Sequence, residues 1–342
     1  MKRLLLLLAF VLASGGTAEA NIWKDALTRS APDPSKDIYD KEMREGDEHV
    51  LQANSESMSL AQRRRQVQLA ITSYRSAAAA LPKAAEPYFR IAATLNSFYL
   101  ENCIDMPQFN ITRSPFKDCT QAEAIDKGIA KQTIEAFNAA EARAPLDPRF
   151  SGNDGDSILF ERAILNTKIG TPDSLAAAAK DYERYLDRND GKGVNMETTW
   201  SNLAETYMML GRLDDSIDAY REIGTPSHVS TIFGAAVALD RNERTSLALE
   251  LIRGQGAGGY RQFKSSVDDG RTFFVPIGEK YYYFALAEEA FGNIDAAVAA
   301  WHNFINSNAH PQFQPRAKAH IDALVKKRGR TAPPPDPFLD IR

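Results

Sequence analysis

The stretch METTWSNLAETYMMLGRLDDSIDAYREIGTP, residues 196–226, decides the fold. Trp200, Leu203, Ala204 and Tyr207 recur three and four residues apart, which places them on one face of a helix. Gly211 interrupts that pattern, and Ile217, Tyr220 and Ile223 then line the face of a second helix. The unit from Glu279 to Ile305 repeats the arrangement with Tyr281, Phe284, Ala285, Gly292, Ala297, Trp301 and Phe304. Upstream, Ala70, Tyr74, Ala77 and Pro82 reproduce the second-helix spacing, as do Thr133, Phe137, Ala140 and Pro145. Tyr88, Ile91, Ala92 and Leu95 supply a first helix soon after Pro82. Weaker copies surround Leu159, Ala163, Gly170, Ala177 and Tyr182, and again Ile232, Ala236, Leu239, Ala248 and Ile252. Valine and isoleucine nowhere alternate with polar residues for long, so the chain reads as all-α.

This spacing resembles the tetratricopeptide repeat family, a roughly 34-residue helix–turn–helix with a bulky residue, leucine and a small residue on its first helix. The second helix carries a small residue, an aromatic, another small residue and then proline. Small residues let helices approach, and the aromatic fills the gap to the next repeat. The resemblance covers most of residues 50–306 and implies an α-solenoid, a right-handed superhelix of five or six hairpins closed by a C-terminal capping helix. On this reading residues 37–310 form the solenoid, with insertions at 100–120 and 254–277, and residues 311–330 form the cap. Residues 21–36 make an N-terminal arm, and residues 331–342, with Pro333, Pro334, Pro335 and Pro337, an extended tail.

In tetratricopeptide superhelices the first helices line a concave groove, so the resemblance also implies a binding wall. Its positions here are Phe89, Ala93, Asn96, Phe160, Ile164, Ser201, Glu205, Met208, Phe233, Val237, Tyr282 and Leu286. Such an aromatic and apolar wall suits an extended or helical peptide with apolar anchors. The alternative is that some of these aromatics only pack between repeats. The groove lacks the lysines and arginine with which chaperone-docking members hold an acidic peptide terminus.

Residues 1–20 read as a secretory signal peptide: Lys2 and Arg3, an apolar run from Leu4 to Ala13, and a small-x-small ending at Ala18-Glu19-Ala20. The expected location is therefore beyond the inner membrane, in the periplasm or cell envelope, with no membrane-spanning segment in the mature chain. Removing that leader from 41 basic and 45 acidic residues takes away Lys2, Arg3 and Glu19 and leaves a net charge of about −5. An acidic balance offers nucleic acid no electrostatic footprint. An oxidising compartment permits a disulfide between Cys103 and Cys119, with two free thiols as the alternative.

Motifs for chemistry are weak. Gly254 to Gly259 spells GxGxxG but follows a helix instead of a strand, so a flexible connection is expected, not a dinucleotide site. Asp154 and Asp156 lack the glutamate that would complete a calcium loop and read as a polar turn between repeats. The five histidines are scattered, and none has the helical spacing of a zinc motif. The sequence thus predicts no catalytic, metal or cofactor residues, and a non-enzymatic scaffold whose partner is another protein. Competing readings are an envelope hydrolase with a site in the inserted segments, discriminated by converging His, Asp or Ser side chains, and a purely structural envelope subunit.

Overall fold

A computed structural model describes residues 34–101, 114–116, 125–147, 150, 153–189, 196–272 and 274–329. The segment expected to be a signal peptide, most of the expected arm, the two cysteines and the proline-rich tail lie outside the described residues. The described residues are helical, with no strand among them, and fall into two units, one within residues 1–83 and one within 84–342.

The first unit is a hairpin of α1 (Pro34–Ala53) and α2 (Leu60–Ala80). Pro34 opens α1 because its missing N–H and fixed φ suit a first helical position, so the helix begins inside the segment expected to be an arm. Ser59 and Gln62 form a reciprocal capping box at the start of α2, and Arg63 Nε donates to the Ala53 carbonyl at the end of α1 at 2.6 Å. Tyr74 lies so close to Gly46 that a Cβ there would sit 2.4 Å from its ring. Its hydroxyl donates to Asp47 at 2.7 Å. A small residue facing an aromatic thus sets the helix separation, as the spacing of Ala70, Tyr74 and Ala77 predicts.

The second unit begins with α3 (Glu86–Leu95), extended by one π turn, Asn96–Leu100, and α4 (Lys127–Arg143). Next come α5 (Asn153–Ile169), α6 (Pro172–Arg188), α7 (Met196–Met209), α8 (Leu213–Glu222), α9 (Val229–Arg241) and α10 (Thr245–Gly254). The chain finishes with α11 (Gly256–Asp268), α12 (Lys280–Ala290), α13 (Ile294–Ser307) and α14 (Gln314–Arg328). Pairs α3–α4, α5–α6, α7–α8, α9–α10 and α12–α13 pack as hairpins, and each hairpin packs on the next. Leu203, Ala204, Tyr207, Ile217 and Tyr220 are buried, as are Phe284, Ala285, Ala297, Trp301 and Phe304, the residues that carry the pattern.

Three hairpins share one turn. Gly211, Glu243 and Gly292 adopt left-handed φ values of 76°, 60° and 80°. Each donates its N–H to the carbonyl three residues back, Met208, Asp240 and Glu289, at 3.0, 2.9 and 3.1 Å. The following residues Arg212, Arg244 and Asn293 each reach five back, to Tyr207, Leu239 and Glu288, at 2.8 to 2.9 Å. That is the Schellman closure, which satisfies the last carbonyls of one helix and reverses the chain into the next. The α5–α6 turn is built otherwise: Gly170 donates to Asn166, and the Thr171 hydroxyl accepts from the Ser174 N–H to cap α6.

Two expected loops are helical. The Gly254–Gly259 stretch is the joint between α10 and α11, not an irregular connection, and the 254–277 insertion contains the whole of α11. Asp154 and Asp156 belong to the first turn of α5 instead of an inter-repeat turn. Among the described residues no helix is long and apolar enough to cross a membrane.

Candidate functional site

The twelve wall positions divide in two. Asn96, Met208, Phe233, Val237, Tyr282 and Leu286 are buried, whereas Phe89, Ala93, Phe160, Ile164, Ser201 and Glu205 are half-buried. The buried set is core and offers no surface to a partner, which corrects its assignment to a wall. The physical cause is plain in α12, where Tyr282 through Ala287 are all buried: a helix apolar on every side is covered on every side. Tyr282 meets Trp301 and Phe304 edge to face at centroid distances of 4.6 and 5.0 Å, and Phe233 stacks flat on Phe263 at 4.4 Å. Among the half-buried residues, Phe89 leans on Phe137 and Phe150, and Phe160 on Tyr182 and Tyr185. The cysteine pair cannot be placed, since Cys103 and Cys119 are outside the described residues.

Polar side chains converge instead on the end of α9. Asp240, fully buried, accepts from the Tyr282 hydroxyl at 2.7 Å, from Thr245 at 2.7 Å, and from Arg316 at 3.0 and 3.2 Å. His320 completes the ring of donors, with Nε2 3.1 Å from both Asp240 oxygens and Nδ1 2.8 Å from Glu289. Both acceptors are carboxylates, so both ring nitrogens must carry protons and the ring is an imidazolium. Burial opposes that charge, but the hydrogen bonds and charges of Asp240 and Glu289 prevail and raise the His320 pKa to about 9. Burial likewise opposes the Asp240 charge, and His320, Arg316 and Tyr282 outweigh it, holding the carboxyl well below the usual range. The imidazolium also stacks on Trp301 at 4.6 Å. With both nitrogens donated, His320 has no lone pair to accept a proton or to bind a metal.

Arg241, the neighbour of Asp240, enters a second group. Its guanidinium is sandwiched between Tyr282 and Phe313 at 4.4 and 4.0 Å and donates to Glu279 at 2.5 Å. Its Nε and the Glu279 Oε2 are buried with no hydrogen-bond partner. Burial pushes the Glu279 carboxyl up to about 6 despite Arg241. His310 donates Nε2 to the Val275 carbonyl at 3.0 Å, and burial together with the Arg241 charge lowers its pKa to about 4. Glu205 receives the hydroxyls of Tyr220 at 2.6 Å and Tyr283 at 2.5 Å, while Gly234 leaves room for the Tyr220 hydroxyl and the Glu205 carboxylate. The spacing of apolar residues passes over this network, since it treats Asp240 as one more polar position. The signal that could have found it is the Asp240-Arg241 pair ending a helix whose other residues are mostly apolar.

A separate buried pair lies nearer the N-terminus of the unit. Arg162 grips Asp181 through Nε and Nη2, both at 2.7 Å, and directs Nη1 to Asn138 at 2.9 Å and Glu141 at 2.7 Å. Arg184 also bonds Glu141. Glu197 is used differently: from α7 it accepts the backbone N–H groups of Ser227 and His228 and so caps the start of α9. Among the described residues, no group of three or more His, Cys, Asp and Glu could hold a metal ion. No protein-family model matches the chain, and no curated protein sequence does.

Proposed function

We propose that the chain is an exported, non-enzymatic scaffold of tetratricopeptide-like repeats that holds a segment of another cell-envelope protein. The observation that carries this reading is the recurrence of one hairpin, with the same left-handed turn at Gly211, Glu243 and Gly292 and the same buried small and aromatic residues around it. Hairpins that each bury a face on the next make a solenoid, whose length serves to present an extended surface to a partner. The charged clusters support it too, because their side chains are spent on one another: His320 and Asp240 bond partners within the unit on every side.

The partner-facing wall then rests on the half-buried positions, Phe89, Phe160, Ile164 and Ser201. Photoreactive residues placed at Phe160 and at Ser201 should give adducts with the same envelope protein in native cells. Positions on exposed faces of second helices, Lys180 and Asp218, should give none. Labelling as strong at Lys180 and Asp218 as at Phe160 and Ser201 would remove the groove from the reading.

A further inference from the structure

We propose that the wall takes an extended partner segment with a lysine or arginine about three residues from an apolar side chain, and that the basic group pairs with Oε2 of Glu205. The proposal rests on the scaffold reading and names the chemistry of what that scaffold holds. On three first helices the half-buried wall positions recur one helical turn apart: Phe89 and Ala93 on α3, Phe160 and Ile164 on α5, Ser201 and Glu205 on α7. On α9 the same line is closed, because Phe233 lies against Tyr260 and Phe263 and Val237 is buried. Glu205 thus stands where open wall gives way to covered wall.

Its carboxylate is bonded through one oxygen only. Oε1 accepts both tyrosyl hydroxyls, Tyr220 from α8 and Tyr283 from α12. Among the described residues nothing donates to Oε2, and the buried unpaired atoms of this network are Arg241 Nε and Glu279 Oε2, so Glu205 Oε2 keeps contact with solvent. Arg241 acts on Glu205 by charge alone, its hydrogen bond going to Glu279. His310, 3.8 Å from Glu279, is held neutral by burial and by the Arg241 charge. Two carboxylates therefore share one guanidinium, and burial pushes the Glu205 carboxyl up. An ammonium or guanidinium at Oε2 supplies the missing cation, to an acceptor that two hydroxyls already hold in place. Glu161 and Lys168 of α5 are also half-buried, and burial pushes that carboxyl up and that ammonium down. Side chains that solvent touches and protein surrounds line a concavity, but there the charges answer one another, Lys168 with Glu101 and Glu161. Helices α5 and α7 touch, and axes of packed helices lie about 8–10 Å apart. In an extended segment with three residues per turn and a rise of about 3.1 Å, residues three apart face one way at about 9 Å. An apolar residue seated on Phe160 or Ile164 thus puts the third residue along at Glu205.

The test titrates the full chain with labelled synthetic peptides of one length and follows fluorescence anisotropy. Three carry phenylalanine and, three positions on, lysine, glutamine or glutamate; a fourth is the lysine peptide with alanine for phenylalanine. The lysine peptide should bind about tenfold more tightly than the glutamine peptide, and the glutamate peptide most weakly. Glu205→Gln, which keeps an oxygen for the two hydroxyls, should bring the lysine and glutamine peptides level, whereas Asp218→Asn on an exposed second-helix face should leave the tenfold difference in place. The proposal is overturned if the unaltered chain binds none of the peptides or ranks lysine with glutamine, a result that does not depend on Glu205→Gln folding. It is overturned too if the peptide lacking phenylalanine binds as well as its parent, since the surface would then attract cations only in bulk. Crosslinks at Phe160 and Ser201 that persist beside such results would leave the scaffold reading standing. The expected ranking without crosslinks in cells would remove the envelope partner and keep the pairing at Glu205.

Discussion

Arg162 and Asp240 each anchor a buried charge cluster, and the two are wired differently. The Arg162 cluster joins α4, α5 and α6, helices consecutive in the chain. The Asp240 cluster ties α9 to α10, α12 and α14, so that Arg316 and His320 of the last helix reach back past a whole hairpin. The first kind of contact is what stacked hairpins supply unaided, since each touches only its neighbours. The second couples the C-terminal helix to the middle of the unit, and makes the cap expected at residues 311–330 more than a polar lid. The clusters differ in chemistry too: one contains only guanidinium, amide and carboxylate groups, while the other contains a histidine.

The largest effect should come from cutting the centre of each cluster. Asp240→Ala strands a buried imidazolium and Arg316 together with two hydroxyl donors, and should cost about 3–5 kcal/mol. Asp181→Ala leaves Arg162 with Glu141 and Asn138, so a loss of about 2–3 kcal/mol is expected. Urea unfolding measures both, and hydrogen exchange should show α14 loosened in the first variant and α4 to α6 in the second. Equal losses with the same helices loosened would erase the distinction between local and long-range wiring.

A smaller effect separates the clusters by pH. His320 has its folded pKa raised to about 9 from an ordinary value of 6.5. Its contribution is therefore complete below about pH 6.5 and disappears as pH rises through 9. His310 works on the opposite limb: its folded pKa, lowered to about 4, makes protonation destabilising, so stability falls as pH drops from about 6.5 toward 4. In the Arg162 cluster, burial opposes the Glu141 charge but Arg184 and Arg162 outweigh it and hold that carboxyl below the ordinary carboxylate value, outside the alkaline window. Thermal unfolding of the chain and of His320→Gln between pH 6 and 9.5 should give curves that converge as pH rises. Parallel curves would mean that the ring is neutral and that the bond to Glu289 or Asp240 is not made.

These clusters also mark how far the sequence could be read. Helix positions, the burial of Tyr74, Phe137 and Trp301, and the turn at Gly211 follow from spacing, because apolar periodicity and glycine at a left-handed position are local properties. Contacts between Asp240 and His320 are not local, and nothing in a periodic pattern distinguishes a polar residue facing solvent from one facing a buried partner. The same limit misplaced Phe233 and Tyr282, which occupy the repeat position of Ser201 but meet an extra helix and a bulky second helix instead of open space. Helix α11 was hidden by its glycines, whose low propensity is overridden by the rings that seat it.

The smallest effect concerns Glu243, the only non-glycine residue among the three shared turns. A φ of 60° crowds its Cβ against the backbone, a strain that Gly211 and Gly292 avoid at the same place. Against that strain stands attraction between Glu243 and Arg316, which belongs to the Asp240 cluster. Glu243 is exposed, so the attraction is screened by water and salt, whereas backbone strain is not. Strain should therefore win: Glu243→Gly is expected to stabilise the chain by about 0.5 kcal/mol after the added freedom of the unfolded glycine is subtracted. Glu243→Asn, which tolerates the left-handed region, should gain somewhat more, and raising salt should enlarge both gains slightly as it screens the attraction that each variant gives up. A net loss that shrinks as salt is added would instead make Glu243 an outlying member of the Asp240 cluster, extending the long-range wiring from the last helix into the turn itself.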